Sequence, residues 1–217
     1  MAKQGLRFVV AGLVLDLLGS AVIVGAVLGR HALALAVGIA IVVFASAFTA
    51  FCVYFFRDPE RSLPTDLKKI YSPGDGRVMS VAREGPGDIV TARIFLSVFD
   101  VHIQRAPCAG VVEHVQHVRG SFAAAMKDEA RANERCVTTL KVEGREERLV
   151  VEQVAGLVAR RIECWPVEGD ALKAGERYGI IYFGSQAAVH FPASSKCTVA
   201  PGDKVTGGLT AIGEWTN

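Results

Sequence analysis

A chain of 217 residues has room for one substantial domain, or for a smaller domain with an anchor, and a mean hydropathy of +0.32 is high for a wholly soluble chain. The formal charge of +2 rests on 24 basic and 22 acidic residues with no polybasic arm, which excludes the electrostatic footprint of a nucleic-acid binder. The five cysteines, Cys52, Cys108, Cys136, Cys164 and Cys197, are odd in number and widely spaced without a C-x-x-C pair, so reduced thiols are expected rather than a disulfide framework or a zinc site.

The apolar excess is concentrated at the N-terminus. Phe8 to Gly29 and Ala32 to Phe56 are apolar runs broken chiefly by Asp16, and each exceeds the ~20 residues that cross a bilayer as a helix. Two long spans in tandem do not fit a signal peptide, which has one apolar stretch of about 7–15 residues. Residues 1–56 therefore read as a transmembrane hairpin turning at Arg30-His31. Lys3 and Arg7 precede it and Arg57, Arg61, Lys68 and Lys69 follow, so the positive-inside rule places both termini in the cytoplasm and the rest of the chain on that face of the cell membrane. Asp16 is expected as a tolerated polar residue in the hairpin seam. Gly25 and Gly29 have a G-x-x-x-G spacing that permits close packing but is common by chance.

Residues 57–69, with Pro59 and Pro64, read as a polar connector. All but three of the basic residues and all but one of the acidic residues lie beyond residue 56, so that part of the chain is formally neutral. From Ile70 to the end, short apolar runs alternate with glycine and proline: Gly76–Val81, Ile89–Phe99, Gly110–Val112, Thr138–Val142, Leu149–Val154, Leu157–Ile162 and Gly179–Phe183. That spacing predicts a β-rich α+β domain. Ser121 to Arg135, rich in Ala, Met, Lys and Glu, is the one candidate for a soluble helix or an ordered surface excursion.

Gly169-Asp170-Ala171-Leu172-Lys173-Ala174-Gly175 and Gly202-Asp203-Lys204-Val205-Thr206-Gly207-Gly208 share the pattern G-D-x-[LV]-x-x-G. The pattern resembles the paired turns of a barrel-sandwich of the biotinyl/lipoyl type, although G-D is also an ordinary turn dipeptide.

Gly184-Ser185 follows the apolar run Gly179–Phe183, and taken alone a G-S dipeptide is a turn more often than an active site. Around it stand Phe55-Phe56-Arg57-Asp58-Pro59, Ser72-Pro73-Gly74-Asp75-Gly76, Phe95 to His102, Arg105-Ala106-Pro107, Asn133-Glu134-Arg135, Gln153-Val154-Ala155-Gly156, Ala159-Arg160-Arg161-Ile162 and Phe183-Gly184-Ser185. In this order they resemble the phosphatidylserine decarboxylases, particularly the short prokaryotic form, over nearly the whole chain from residue 55. The resemblance implies a proenzyme that cuts itself between Gly184 and Ser185. The products are a β chain (1–184) and an α chain (185–217) that begins with a pyruvoyl group made from Ser185. It also implies decarboxylation of phosphatidylserine in the bilayer to phosphatidylethanolamine and CO2. Larger members carry L-G-S-T where this chain has Phe183-Gly184-Ser185-Gln186, and H-x-x-H where it has His102 and then Arg105.

The residues allow that chemistry to be built. Ser185 Oγ attacks the Gly184 carbonyl, and glycine at 184 lets the backbone bend toward it. A base must then remove the Cα proton of residue 185. His102 is the candidate, with an ordinary pKa near ~6.5, and Asp75 is expected to orient it. Read without the resemblance, His102 is a core or strand-edge histidine and Asp75 an Asx-turn residue. His190 is a second catalytic candidate, His114 and His117 lack a third metal ligand, no metal is required, and Arg57 and Arg61 are candidates to bind phosphate or lipid head groups, or else juxtamembrane basic residues that only set topology. Two alternatives stay open: a non-catalytic tethered adaptor or carrier using Lys173 or Lys204, and a serine hydrolase, which would lack G-x-S-x-G because Ala187 replaces the second glycine. A homo-oligomer is expected from base rate alone.

Overall fold

The computed structural model describes residues 1–84, 89–124, 128–157 and 161–216. The chain forms two compact units, Met1–Pro59 and Glu60–Asn217.

In the first unit, α1 (Leu6–Gly29) and α2 (Ala32–Phe55) fold back on each other, and both are long and apolar enough to cross a membrane. Leu17, Leu28, Leu33 and Phe44 are among the large apolar side chains they leave exposed. The reversal takes two residues: Arg30, left-handed at φ 56°, and His31, whose amide donates to the Ala26 carbonyl at 2.9 Å. The seam is built of small residues seven apart. Gly5, Gly12, Gly19 and Ala26 face Gly38, Ala45 and Cys52, all buried, and a repeat of seven keeps one stripe of each helix turned to its partner. A Cβ on Gly12 would overlap Thr49 Oγ1, and one on Gly38 would lie 3.1 Å from the Gly19 carbonyl oxygen. Gly25 has open space around it, so the packing does not use the G-x-x-x-G pair. Asp16 Oδ1 accepts a hydrogen bond from Ser46 Oγ of the facing helix at 2.9 Å, which satisfies part of its polarity in an apolar setting.

The second unit is β-rich. In chain order its strands are β1 (Lys69–Tyr71), β2 (Gly76–Glu84), β3 (Ile89–Leu96), β4 (Ile103–Arg105), β5 (Gly110–Val118), β6 (Arg135–Val142) and β7 (Arg148–Val154). There follow β8 (Ile162–Cys164), β9 (Ala171–Leu172), β10 (Arg177–Ile181), β11 (Ser185–Phe191), β12 (Ser195–Cys197), β13 (Lys204–Val205) and β14 (Ala211–Trp215). Eight of them form one antiparallel sheet in the order β13-β2-β3-β11-β7-β6-β5-β9, and two three-stranded sheets, β1-β14-β12 and β4-β10-β8, complete the unit. Bulges at Val78/Ser80 in β2 and Val112/His114 in β5 bend the large sheet, which curls into a half barrel.

Alternation along the strands sorts the side chains. Ile94 and Leu96 of β3, Ala187, Val189 and Phe191 of β11, Leu149 and Val151 of β7 and Leu140 of β6 share the core face. Burial of each large one contributes roughly 1.5–3 kcal/mol. The other face carries Arg93, Glu152 and His190.

One device occurs twice. Gly202 donates to the Val78 carbonyl (2.8 Å) and Val78 to the Asp203 carbonyl (2.9 Å), while Gly169 donates to Val112 (2.8 Å) and Val112 to Asp170 (2.9 Å). Each aspartate closes its own turn, Asp170 accepting from the Val167 amide and Asp203 from the Ala200 amide. The partner segments match as well, Pro73-Gly74-Asp75-Gly76-Arg77-Val78 against Pro107-Cys108-Ala109-Gly110-Val111-Val112. They cross where Tyr71 donates to Pro107 and Arg105 to Pro73, both at 2.8 Å. The G-D echo in the sequence thus marks half of an approximate internal two-fold.

The run Leu157–Ile162 is not one strand. Leu157 lies in a bend, Ile162 opens β8, and 158–160, including Ala159 and Arg160 of the A-R-R-I motif, lie outside the described residues. Of Ser121–Arg135, residues 125–127 are outside them too, and the described part is an excursion with a short 3-10 stretch, Asp128–Ala132. Asn133 holds it in that form. Its side chain accepts from Ala123 N (2.7 Å) and donates to the carbonyls of Ala123 (2.9 Å) and Ala155 (2.7 Å), bonds that compete with a helical ladder.

Candidate active site

Ser185 is the first residue of β11, paired with Leu96 of β3 and fully buried. Its Oγ has no hydrogen-bond partner among the described residues. The chain reaches it from Ile181, the end of β10, through only Tyr182, Phe183 and Gly184, and so passes from one sheet to another in three residues. Two successive positive φ angles make this possible, 52° at Phe183 and 76° at Gly184.

His102 stands against this turn and is fully buried. The Gly184 amide lies 3.2 Å from Nε2, and Nδ1 lies 3.0 Å from the Asp100 carbonyl oxygen. A carbonyl only accepts, so Nδ1 carries the proton, and the Gly184 N–H then meets the lone pair on Nε2. The imidazole is therefore held neutral with its basic nitrogen on the Gly184 amide, one peptide bond before the Gly184-Ser185 junction. The loop before it sets the carbonyl that does this: Asp100 Oδ2 accepts from the Ser97 amide (2.8 Å) and the Asp100 amide donates to the Ser97 carbonyl (2.9 Å).

Asp75 is placed differently from the sequence expectation. Both its carboxylate oxygens are held by Arg61, at 2.7 and 2.8 Å, and Oδ1 also accepts the Gly207 amide at 2.8 Å. The contact that orients His102 comes instead from Asp100, through its main chain. The Asp75 loop still bears on the site: Gly74 packs on Gln104, two residues after His102, and the Arg105 amide donates to the Pro73 carbonyl. Arg105 is buried and donates from Nη1 to the Gly175 carbonyl at 2.9 Å.

His190 lies five residues along β11 from Ser185, roughly 17 Å at strand rise. Its Nδ1 is 2.9 Å from Thr91 Oγ1 and its Nε2 3.3 Å from Glu152 Oε1, in a charged cluster with Glu84, Arg93, Arg131 and Arg135. Burial pushes Glu84 up, but the hydrogen bond and charge of Arg93, then Arg131 and His190, outweigh it and hold the carboxyl below the usual range. Burial likewise opposes His190, Arg93 and Arg135 at Glu152, and again the net direction is down. His114 pairs with Glu168 at the surface (3.3 Å), and His117 Nε2 is 3.8 Å from Cys136 Sγ. Among the described residues no three side chains form a metal-holding group. A cleft of about 770 Å³, lined by residues such as Val111, Arg145 and Lys173, contains neither Ser185 nor His102.

Behind this turn, Tyr182 Oη donates to Glu163 Oε1 at 2.7 Å, and the Tyr182 amide to the Arg161 carbonyl at 3.1 Å. Deeper in, a hydrogen bond with the Cys136 thiol lowers the pKa of Cys164 and raises that of Cys136, with burial adding to the rise at Cys136. Burial alone pushes Cys108 up to about 12.

The arrangement, a buried unpartnered hydroxyl one residue after a glycine whose amide meets a neutral imidazole, suits intramolecular acyl transfer. Comparison with known proteins agrees on the kind of chain. The family model for phosphatidylserine decarboxylase matches residues 48–213. A phosphatidylserine decarboxylase proenzyme of Symbiobacterium thermophilum is 46% identical over 88% of this chain and 91% of its own length. Proteins of the same name from Desulfotalea psychrophila (38% identity, 76% of this chain, 80% of the relative) and Anaplasma phagocytophilum (43%, 76% and 76%) are also similar. The chain belongs to the phosphatidylserine decarboxylase family.

Proposed function

We propose that this chain is a proenzyme that cleaves itself between Gly184 and Ser185, and that the matured enzyme decarboxylates phosphatidylserine to phosphatidylethanolamine and CO2. The observation that carries the reading is the junction itself. Ser185 Oγ is buried and has no hydrogen-bond partner among the described residues, and Nε2 of His102 lies 3.2 Å from the amide nitrogen of Gly184, the residue whose carbonyl that hydroxyl must attack. These residues fit a pyruvoyl group at position 185: the hydroxyl is not committed elsewhere, and Gly184 brings no side chain to the junction.

Cleavage proceeds in three steps. Ser185 Oγ bonds to the Gly184 carbonyl carbon, the amide C–N bond breaks, and the hydroxyl proton passes to the leaving amine, giving an ester. His102 Nε2 then removes the Cα proton of residue 185, the Cβ–O bond breaks, and Gly184 departs as a carboxylate. Water hydrolyses the resulting dehydroalanine with release of ammonia. The pyruvoyl carbonyl left at the head of β11 supplies the electron sink for loss of CO2. The protein holds residue 185 at the start of β11 against Leu96 of β3, and holds a proton at His102 Nε2 for return to the substrate carbon. Asp75 serves in this reading as a positioning residue that braces the His102 strand. The domain is read as a barrel-sandwich of the biotinyl/lipoyl type, in support of which stands the repeated G-D device. The helical hairpin is read as a membrane anchor with both termini cytoplasmic.

Intact-mass analysis and denaturing electrophoresis test this directly. The wild type should give two chains divided before residue 185, and Ser185→Ala one chain that releases no CO2 from phosphatidylserine vesicles. A normally divided Ser185→Ala protein would remove the assignment. An adaptor or a serine hydrolase predicts one chain in both cases.

A further inference from the structure

Phe183 lies at φ 52°, where its Cβ crowds its own carbonyl. The other non-glycine residue with positive φ among the described residues, Arg30, ends a helix, where a left-handed residue supplies a common cap. Phe183 caps nothing. Its conformation is imposed from both sides. On one, the Ile181 and Tyr182 amides donate to the carbonyls of His102 and Arg161, and Tyr182 Oη donates to Glu163. On the other, Ser185 is already paired in the middle of the large sheet. With three residues to cross between sheets, the turn cannot relax while the chain is whole, and strain persists where the surroundings over-determine it.

We propose that Phe183 is a positioning residue for self-cleavage: its left-handed backbone stores strain that is released when the Gly184–Ser185 bond breaks. The proposal rests on the self-cleaving reading above. An amide-to-ester shift is uphill in a relaxed chain. Here the ester ties Gly184 to residue 185 through C–Oγ–Cβ–Cα in place of C–N–Cα, and the extra atom in the link lets Phe183 relax in part, so the strain favours the ester and adds to the fraction on which His102 acts; elimination then frees the Phe183-Gly184 end.

The test compares Phe183→Ala with Phe183→Gly. Alanine keeps the Cβ and hence the strain, and should cleave within about threefold of wild type if the ring is not what matters. Glycine relieves it and should cleave roughly five- to thirtyfold more slowly than alanine in a time course on freshly synthesised protein. In the uncut Ser185→Ala background, Phe183→Gly should melt above Phe183→Ala, the reverse of the usual glycine penalty. Equal or faster cleavage of Phe183→Gly, or a melting point below that of Phe183→Ala, overturns the proposal. A wild-type protein that stays one chain would instead defeat the self-cleaving reading, and the melting order would still decide whether residue 183 is strained.

Discussion

Replacing Asp75 by asparagine removes one charge from a buried pair and keeps its shape. The side chains of Arg61 and Asp75 are 8% and 17% exposed, and the carboxylate receives two guanidinium hydrogen bonds and the Gly207 amide. Loss of one partner from a buried pair costs about 3–5 kcal/mol, chiefly because the remaining charge is left uncompensated. The residual exposure of Asp75, and the one oxygen that asparagine keeps, bring the expected loss to about 2–3 kcal/mol. For a unit of this size each kcal/mol moves the melting temperature by about 2–4 °C, so a fall of roughly 4–12 °C is expected. Thermal unfolding of Asp75→Asn in the uncut Ser185→Ala background measures it. Arg61→Met with Asp75→Leu, which removes both charges, should restore at least half of the loss. A variant that melts within 1 °C of its parent and yet blocks cleavage in the Ser185 chain would refute the bracing role and place Asp75 in the chemistry.

Three other outcomes follow from contacts described above. Glu84 and Glu152 have depressed carboxyl pKa values, so the stability they add is present above their unfolded value of about 4.3 and is lost as pH falls through the folded values. Melting temperature should therefore drop on acidification below about pH 4.3, and more shallowly in Glu84→Gln; an unchanged slope would contradict this. Cys164, half-buried with a lowered pKa, should be alkylated by iodoacetamide before Cys108, whose pKa is about 12, and peptide mass mapping that found Cys108 first would refute the assignment. Gly12→Leu should lower the temperature at which helical circular dichroism is lost in detergent, because its side chain meets Thr49, whereas Gly25→Leu has open space and should leave it unchanged.

Much of the architecture could be read from the order of residues, and the exceptions have physical causes. The two apolar helices and most strand runs are local, periodic signals, and the structure has elements at those positions. The seam of the hairpin is also periodic, but at seven, in Gly5, Gly12, Gly19 and Ala26, whereas the visible G-x-x-x-G pair at Gly25 packs on nothing within reach. Ser185 and His102 stood out by residue type and motif. Asp100 did not, because it orients the imidazole with a main-chain carbonyl that every residue possesses, and only the Ser97–Asp100 turn aims it. Asp75 drew attention as a carboxylate between glycines, but its partner, Arg61, lies 14 residues earlier in a connector without periodicity. Ser121–Arg135 has helix-forming composition, and the side chain of Asn133 redirects it.

The place of β11 has a consequence for the two-chain product proposed above. Residues 185–217 contribute β11 between β3 and β7, β14 between β1 and β12, and β13 on the edge of β2. A cut before Ser185 therefore divides the polypeptide without interrupting a ladder, and the short fragment stays threaded through two sheets. Removing it would open raw edges on β3 and β7 in mid-sheet, which are templates for aggregation. The fragments can part only by global unfolding. Once parted, they must find each other as separate molecules, so refolding becomes second order in protein, whereas the uncut precursor folds in a unimolecular step. If the chain cuts itself as proposed, this topology requires folding before cutting, and maturation makes the fold difficult to regain once lost.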